Sequence, residues 1–554
     1  MWLARPRSIV AQRLDRDLDL ATRAVVIVMA LCVVAGAFLV VFGPHPALPI
    51  LGLAACLVAP LILREVDLAL LALVAVITLL PFGALRLGIG FNPTLLDPAL
   101  GALYLIWLVR RVTRTGPDAP PPGLAPLGHP PPRAGEGSHP PAKTDLASHP
   151  LPRAGEGSCA QREDITVKEV AAARSGVGVA PLAVLVMGVM IAALLAGLSG
   201  GLPAKNQLRT FAELLLGTGL ALILGSLLTD ARRVRRLFLG LTVCGSLAAL
   251  VGLVLYVLPD GVQVRILSLL GALDYPTGPS VLRFLNDDPT RLQRATGTAV
   301  DPNSFGGLLA VVTALVLPQL ISRAPSLPRR AAIPMVAVLG LALLATVSRG
   351  SVVGLAAGMA VIGLLRDRRW LVTGLIAGAL LFVLARLLPW TSAFVDHFLA
   401  GFQGVHGADR ATQMRLGEYK DALRLIARYP LIGVGFGGPR DVDLYRGVSS
   451  LYLIIAETMG YLGLAAFLAA MGACLARLTW AWRTLSERDP MRDIVLGVLA
   501  ALVAALVSGL FDHYFFTYPH AYALLWLVLA MGMTAARERQ QLKLPAKQRK
   551  PLRG

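Results

Sequence analysis

The sequence predicts an all-α, polytopic integral membrane protein with about fourteen transmembrane helices and a long periplasmic segment between the eleventh and twelfth. Three observations lead there. Residues of the AVILMFWYC set make up 56% of the 554-residue chain and DEKR only 15%, well below the about 25% charged residues of a soluble domain. Apolar runs long enough to cross a bilayer recur through most of the chain. Arginine-rich segments separate alternate runs, as the enrichment of Lys and Arg in cytoplasmic loops requires. This composition excludes a disordered chain and argues against a water-soluble enzyme.

Arg5, Arg7, Arg13, Arg16 and Arg23 precede the first run, which lacks a small-residue cleavage site and reads as an anchor. Runs near 24–43, 47–63, 67–83 and 94–109 predict a four-helix membrane region over 1–109. Residues 110–178 differ in kind. They are rich in Pro, Gly, Ser and His, and the decapeptide starting at His129 (HPPPRAGEGS) recurs from His149 as HPLPRAGEGS. Two copies without an apolar face cannot bury a core, so this stretch is expected to be a disordered cytoplasmic linker. Runs near 180–199, 208–229, 236–258, 304–322, 331–347, 351–365, 370–388, 451–475, 493–511 and 517–535 predict a second membrane domain over 179–535. A basic cytoplasmic tail, 536–554, follows.

Charge fixes the expected orientation. With the N-terminus inside, the inner segments are 64–67, 110–114, 230–236, 323–330, 366–369 and 477–492, most of them short and dense in Arg. An even number of spans returns both basic termini to the cytoplasm. Two long segments, about 260–302 and 390–449, remain outside, and connections of that length are usually functional or disordered. The formal charge of +19 flanks the spans and forms no basic face on a soluble fold, so no nucleic-acid partner is expected. The five cysteines show no Cys-x-x-Cys or Cys/His spacing, and no carboxylate/His cluster supplies a divalent-ion site; neither a metal nor a cofactor is expected.

Four outer patches carry the notable polar residues. Arg294 precedes Thr296-Gly297-Thr298 and then Asp301-Pro302-Asn303, where Asp301 makes a helix N-cap with Pro at the first helical position. Arg349 sits in the turn Ser348-Arg349-Gly350-Ser351, either as a snorkelling end-cap or as a functional charge at the membrane edge. The helix expected over 418–428 mixes charges, with Arg415 just before it, and mixed charge on one helix ordinarily means a solvated, salt-bridged face. The glycines at 433, 435, 437 and 438 lack the Gly-Lys-Ser/Thr of a P-loop. Glu457 lies about two turns inside the next span, where a carboxylate must be paired or protonated.

Read together, Arg294-x-x-Gly297 with Asp301-Pro302-Asn303, then Ser348-Arg349-Gly350, then Arg415, Ala422, Pro430 and Gly433-Val434-Gly435, then Glu457-x-x-Gly460-x-x-Gly463 resemble the O-antigen ligase/polymerase superfamily across about 290–470. The resemblance implies a glycosyltransferase of the bacterial inner membrane, active on the periplasmic face. Such a protein passes a glycan from an undecaprenyl-diphosphate carrier to a glycan or lipid acceptor in O-antigen or exopolysaccharide biosynthesis. It implies diphosphate binding by Arg294 and Arg349; Arg415 reads as an auxiliary contact, Ser449 and Glu457 are the catalytic candidates, and Glu457 would either support the cavity or assist proton transfer. One departure stands out: Ser449 occupies the position where ligases of this family carry His. A serine hydroxyl is no general base near neutral pH. Ligase, polymerase, a different base and a non-catalytic homologue are therefore all left open by the residues. A transporter or flippase of lipid-linked glycan is the rival class, although the polar residues gather at span ends and not at the midplane.

Overall fold

The computed structural model describes residues 65–86, 92–114, 179–366, scattered positions from 368 to 386, 410–437 and 447–543. The spans expected at 24–43 and 47–63, most of the one at 370–388, the repeated decapeptides, residues 390–409 and 438–446 of the outer segment and the end of the basic tail lie outside the described residues.

The chain is mostly helical. In chain order the helices are α1 (Val66–Leu79), α2 (Leu96–Arg114), α3 (Val179–Gly197), α4 (Lys205–Leu227), α5 (Ala231–Val257) and α6 (Asp260–Leu269). They continue with α7 (Pro302–Ile321), α8 (Arg329–Ala345), α9 (Arg349–Arg366), α10 (Arg410–Arg428), α11 (Leu451–Thr484), α12 (Pro490–Ser508), the single turn α13 (Tyr514–Thr517) and α14 (Pro519–Lys543). Eight of these, α3, α4, α5, α7, α9, α11, α12 and α14, are long and apolar enough to cross a membrane, and α1 is a shorter apolar helix. Among the described residues the all-α expectation meets a short β hairpin: β1 (Arg283–Phe284) pairs antiparallel with β2 (Gln293–Arg294), with Arg283 opposite Arg294.

The described residues 65–108 and from 179 onward belong to one compact unit. Within that unit α1 packs on α5 and α14, so the N-terminal helices share a core with the C-terminal ones. At its centre α12 lies between α7 and α9. Small residues let these backbones approach: a Cβ on Gly354 or Gly358 would lie 2.5 or 2.7 Å from carbonyl oxygens of α12, and one on Gly497 would lie 2.4 Å from the Leu315 carbonyl of α7. Close approach of this kind is how helices gain packing where lipid removes the hydrophobic drive between them.

Polar contacts sort the loops by end. Arg236 pairs with Asp67, Arg235 donates to the Ser326 carbonyl at 2.9 Å, Arg323 pairs with Glu487 and Arg366 pairs with Asp493. These contacts link the segments that charge alternation puts on one side. At the other end Asp274 accepts from Arg86 and Asn92, each at 2.7 Å, and Thr298 donates to the Leu79 carbonyl at 2.6 Å.

The glycine motifs resolve into one device. Helix α11 is broken at Gly460, whose φ of 67° and ψ of −171° leave helical space. The loop after α10 fills that break. Val434 N–H donates to the Glu457 carbonyl at 2.8 Å and Gly435 N–H to the Thr458 carbonyl at 3.0 Å, while Tyr461 N–H donates back to the Pro430 carbonyl at 2.7 Å. Backbone groups released inside an apolar bundle must find such partners. Gly433 holds a φ of 74°, and a Cβ there would lie 2.5 Å from the Glu457 carbonyl oxygen. Gly433, Gly435 and Gly460 thus serve the backbone packing around the break.

Candidate active site

Arg294 ends the short hairpin, and its backbone continues directly into a clamp. Ala295 N–H donates to the Ala345 carbonyl at 2.8 Å, tying the hairpin to the turn that leads into α9. The Arg294 side chain completes the link: Nε donates to the Thr346 carbonyl at 2.9 Å and Nη2 to Asn303 Oδ1 at 2.5 Å. Asn303 is positioned by the N-cap read from the sequence, since the Asp301 carboxylate accepts from Ser304 N–H at 2.6 Å and Pro302 opens α7. Arg349 is the first residue of α9, so the same clamp brings Arg294 and Arg349 to one place.

Helix α10 closes the other wall. Its stripe at 415, 418, 419, 422, 425 and 426 follows the helical repeat, and Ala422, Leu425 and Ile426 are buried. The solvated-face reading therefore applies only to the far side, where Arg424 pairs with Asp421 at 3.2 Å. Arg415 and Glu418 lie on the packed stripe. Glu418 Oε2 accepts from Ser449 Oγ at 2.7 Å and from Ser449 N–H at 3.0 Å, and the Tyr419 hydroxyl donates to the Ser449 carbonyl at 3.2 Å.

These elements enclose a cavity of about 650 Å³ whose lining includes Arg294, Arg349, Arg415 and Ser449. A volume of this order holds a drug-sized ligand. Asn303, Glu418, Asp512 and Tyr514 also line it. Of the five sequence candidates only Glu457 stands apart. It is buried in α11, its Oε1 accepts from Gly447 N–H at 3.2 Å, and it holds the approach to Ser449 instead of facing the cavity. A second cavity, about 680 Å³ and lined by Arg209, Glu213, Asp274 and His520 among others, contains none of the candidates.

Charge and backbone geometry both single out the first cavity. Burial pulls the Arg294 guanidinium down to about 10; Asp301 and Asp512 oppose the shift, while Arg415 and Arg349 add to it. Arg294 remains protonated at neutral pH but is held by neutral acceptors. Arg415 makes no hydrogen bond or ion pair among the described residues. Burial likewise raises the Asp301 carboxyl, with Asp512 adding to it. Three of the five described non-glycine residues with positive φ, namely Asn286, Asp287 and Val347, line this cavity. Such conformations, most of all for a β-branched residue, cost about 1–3 kcal/mol each and collect at functional sites.

Sequence reasoning missed Glu418 and Asp512. Glu418 carried a signal, because it falls on the same helical stripe as Arg415 and Ala422. Asp512 follows α12 in a polar turn with no spacing to mark it.

The cavity thus gathers three arginines at one end of a bundle that contains eight helices long and apolar enough to cross a membrane. Residues 333–468, about a quarter of the chain, match the family described as O-Antigen ligase. The match runs from α8 through the break in α11, includes Arg349, Arg415, Ser449 and Glu457, and leaves Arg294 outside it. The match supports the resemblance to the O-antigen ligase/polymerase superfamily read from the motifs and, at a coarse level, a membrane function in glycan assembly. No curated protein matches the chain.

Proposed function

We propose that this protein transfers or polymerises saccharide units carried on undecaprenyl diphosphate, at the periplasmic face of a bacterial inner membrane, onto a glycan or lipid acceptor. The observation that carries the reading is the convergence of Arg294, Arg349, Arg415 and Ser449, from four separate stretches of chain, on one cavity. In such a transfer the acceptor oxygen attacks the anomeric carbon and the carbon–phosphate oxygen bond breaks, so the diphosphate leaves with the electron pair. Its growing charge needs fixed cations in place beforehand, and a guanidinium meets phosphate oxygens bidentately. Arg294 is oriented for this by Thr346 and Asn303. Arg349, at the start of α9, and Arg415 complete the set.

The test is genetic and chemical. In a deletion strain complemented with Arg294→Ala or Arg349→Ala, undecaprenyl-linked glycan should accumulate and long surface glycan should disappear, with the protein still present in the membrane. Arg→Lys should recover little, because an ammonium is a point charge without the fork. Wild-type glycan from both alanine variants would overturn the transferase reading and favour a carrier.

A further inference from the structure

We infer that Glu418 is the general base of this site, receiving the acceptor proton through the hydroxyl of Ser449; the inference rests on the transferase reading above. Serine alone cannot take the proton at neutral pH. In this chain it does not stand alone. Glu418 Oε2 accepts the Ser449 hydroxyl at 2.7 Å and the Ser449 amide at 3.0 Å, which fixes the serine rotamer as well as its backbone. Both side chains line the cavity that holds Arg294 and Arg349. Among the described residues no Lys, Arg or His stands within ion-pair distance of Glu418, and its carboxylate oxygen Oε2 is turned to Ser449. The neighbouring Asp421, by contrast, is paired with Arg424 at 3.2 Å.

The geometry also sets the direction of transfer. Because the Ser449 proton points at Glu418, the lone pairs of Oγ are left for an incoming donor, and a hydroxyl that donates to a carboxylate is itself a better acceptor. An acceptor sugar hydroxyl bonded to Ser449 Oγ gives up its proton to that oxygen as the serine proton passes to Glu418 Oε2. The acceptor oxygen forms its bond to the anomeric carbon, and the diphosphate departs toward the arginines. Serine ends neutral, Glu418 ends protonated, and release of that proton to water resets the site. No co-reactant is needed.

The experiment compares variants in the deletion strain, reading surface glycan, undecaprenyl-linked precursor in lipid extracts and protein level. Glu418→Gln keeps the shape and removes the base. It should lower glycan output by about 100-fold or more, in the range general bases contribute, with precursor accumulating and protein level normal. Glu418→Asp should retain a measurable part of the output. Ser449→His on the Glu418→Gln background supplies an imidazole at the same place and should restore glycan. Arg294→Ala serves as reference for the transferase reading itself. Near-normal glycan from Glu418→Gln beside an inactive Arg294→Ala would overturn the base assignment and leave the transferase intact. Loss in Glu418→Gln that neither Glu418→Asp nor the added histidine relieves would overturn it equally, reducing Glu418 to a structural tie. Normal glycan from both Arg294→Ala and Arg349→Ala would instead refute the reading on which the inference stands.

Discussion

The two ends of the α7–α9–α12 packing treat arginine in opposite ways. At one end Arg366 closes α9 and pairs with Asp493 in the first turn of α12; Asp493 also accepts the Ser322 hydroxyl after α7, and Arg366 Nη2 reaches the Ile321 carbonyl at 2.8 Å. Asp493 is fully buried. At the opposite end Arg294 is held by a carbonyl and an amide, both neutral, beside Arg349 and Arg415. A buried charge matched by a carboxylate is spent on structure. Arg294 has no carboxylate within hydrogen-bond reach, only the more distant charges of Asp301 and Asp512, and under the proposed function its charge serves an incoming diphosphate. Span-end arginines that look equivalent in sequence are thus separated into a clamp and a site.

That contrast can be broken at either end, and the expected effects fall in order. Labelling gives an all-or-none outcome: single cysteines at Asn286 or Asp287 should react with an impermeant thiol reagent in intact cells, whereas one at Ala324 should react only after the membrane is opened. The reverse pattern would put the site on the cytoplasmic face. Next, Asp493→Ala should cost about 3–5 kcal/mol of stability by leaving Arg366 buried without its partner, seen as a lower melting temperature in detergent and a lower membrane yield. Arg294→Ala should behave the other way, costing about 3–4 kcal/mol of transition-state stabilisation, the scale of one preorganised donor, while the melting temperature moves far less. Equal loss of stability in both variants would erase the distinction between the two ends.

Smaller effects sharpen it further. Gly460→Ala should cost at least about 1–3 kcal/mol, since alanine at a φ of 67° is strained and its Cβ would lie 2.3 Å from the Leu431 backbone. Lost activity should follow lost fold, because this glycine sets the break that α11 needs before Ser449 can be positioned. Smallest of all, Arg424→Ala on the outer side of α10 should change stability by only about 0.2–0.5 kcal/mol and leave glycan output unchanged. A large loss there would mean that the outer face of α10 is covered by something the isolated chain does not show.

Some of this was readable along the chain and some was not. The apolar runs from 67 onward coincide with α1 to α5, α7 to α9, α11, α12 and α14 within a few residues at most ends, and eight of these helices are long and apolar enough to cross a membrane, since a span demands a continuous apolar stretch that any window reveals. Helix α14 runs on to Lys543 where its run was read as ending near 535, and helix α11 overruns slightly further. Its run was read as ending near 475, yet the helix continues to Thr484, with Cys474, Leu478, Ala481 and Trp482 still buried.

What the sequence by itself determined is local: the spans, the Asp301-Pro302 cap, the amphipathic stripe of α10 and the order of the motifs that carry the family resemblance. Each depends on neighbours within a turn or two of helix, where spacing alone decides which side chains meet. What only the tertiary structure decided is which distant groups answer one another. Arg294 is aimed by Thr346, more than fifty residues away, and Ser449 is bound by Glu418 across α10 and α11. Glu457 was a catalytic candidate on the sound ground that a buried carboxylate needs a partner; the fold directs that carboxylate to the Gly447 amide and away from the cavity. The physical reason is the same in each case. Hydrogen bonds and charge pairing act over a few ångströms, and only the packing of the helices brings residues so far apart in the chain within that reach.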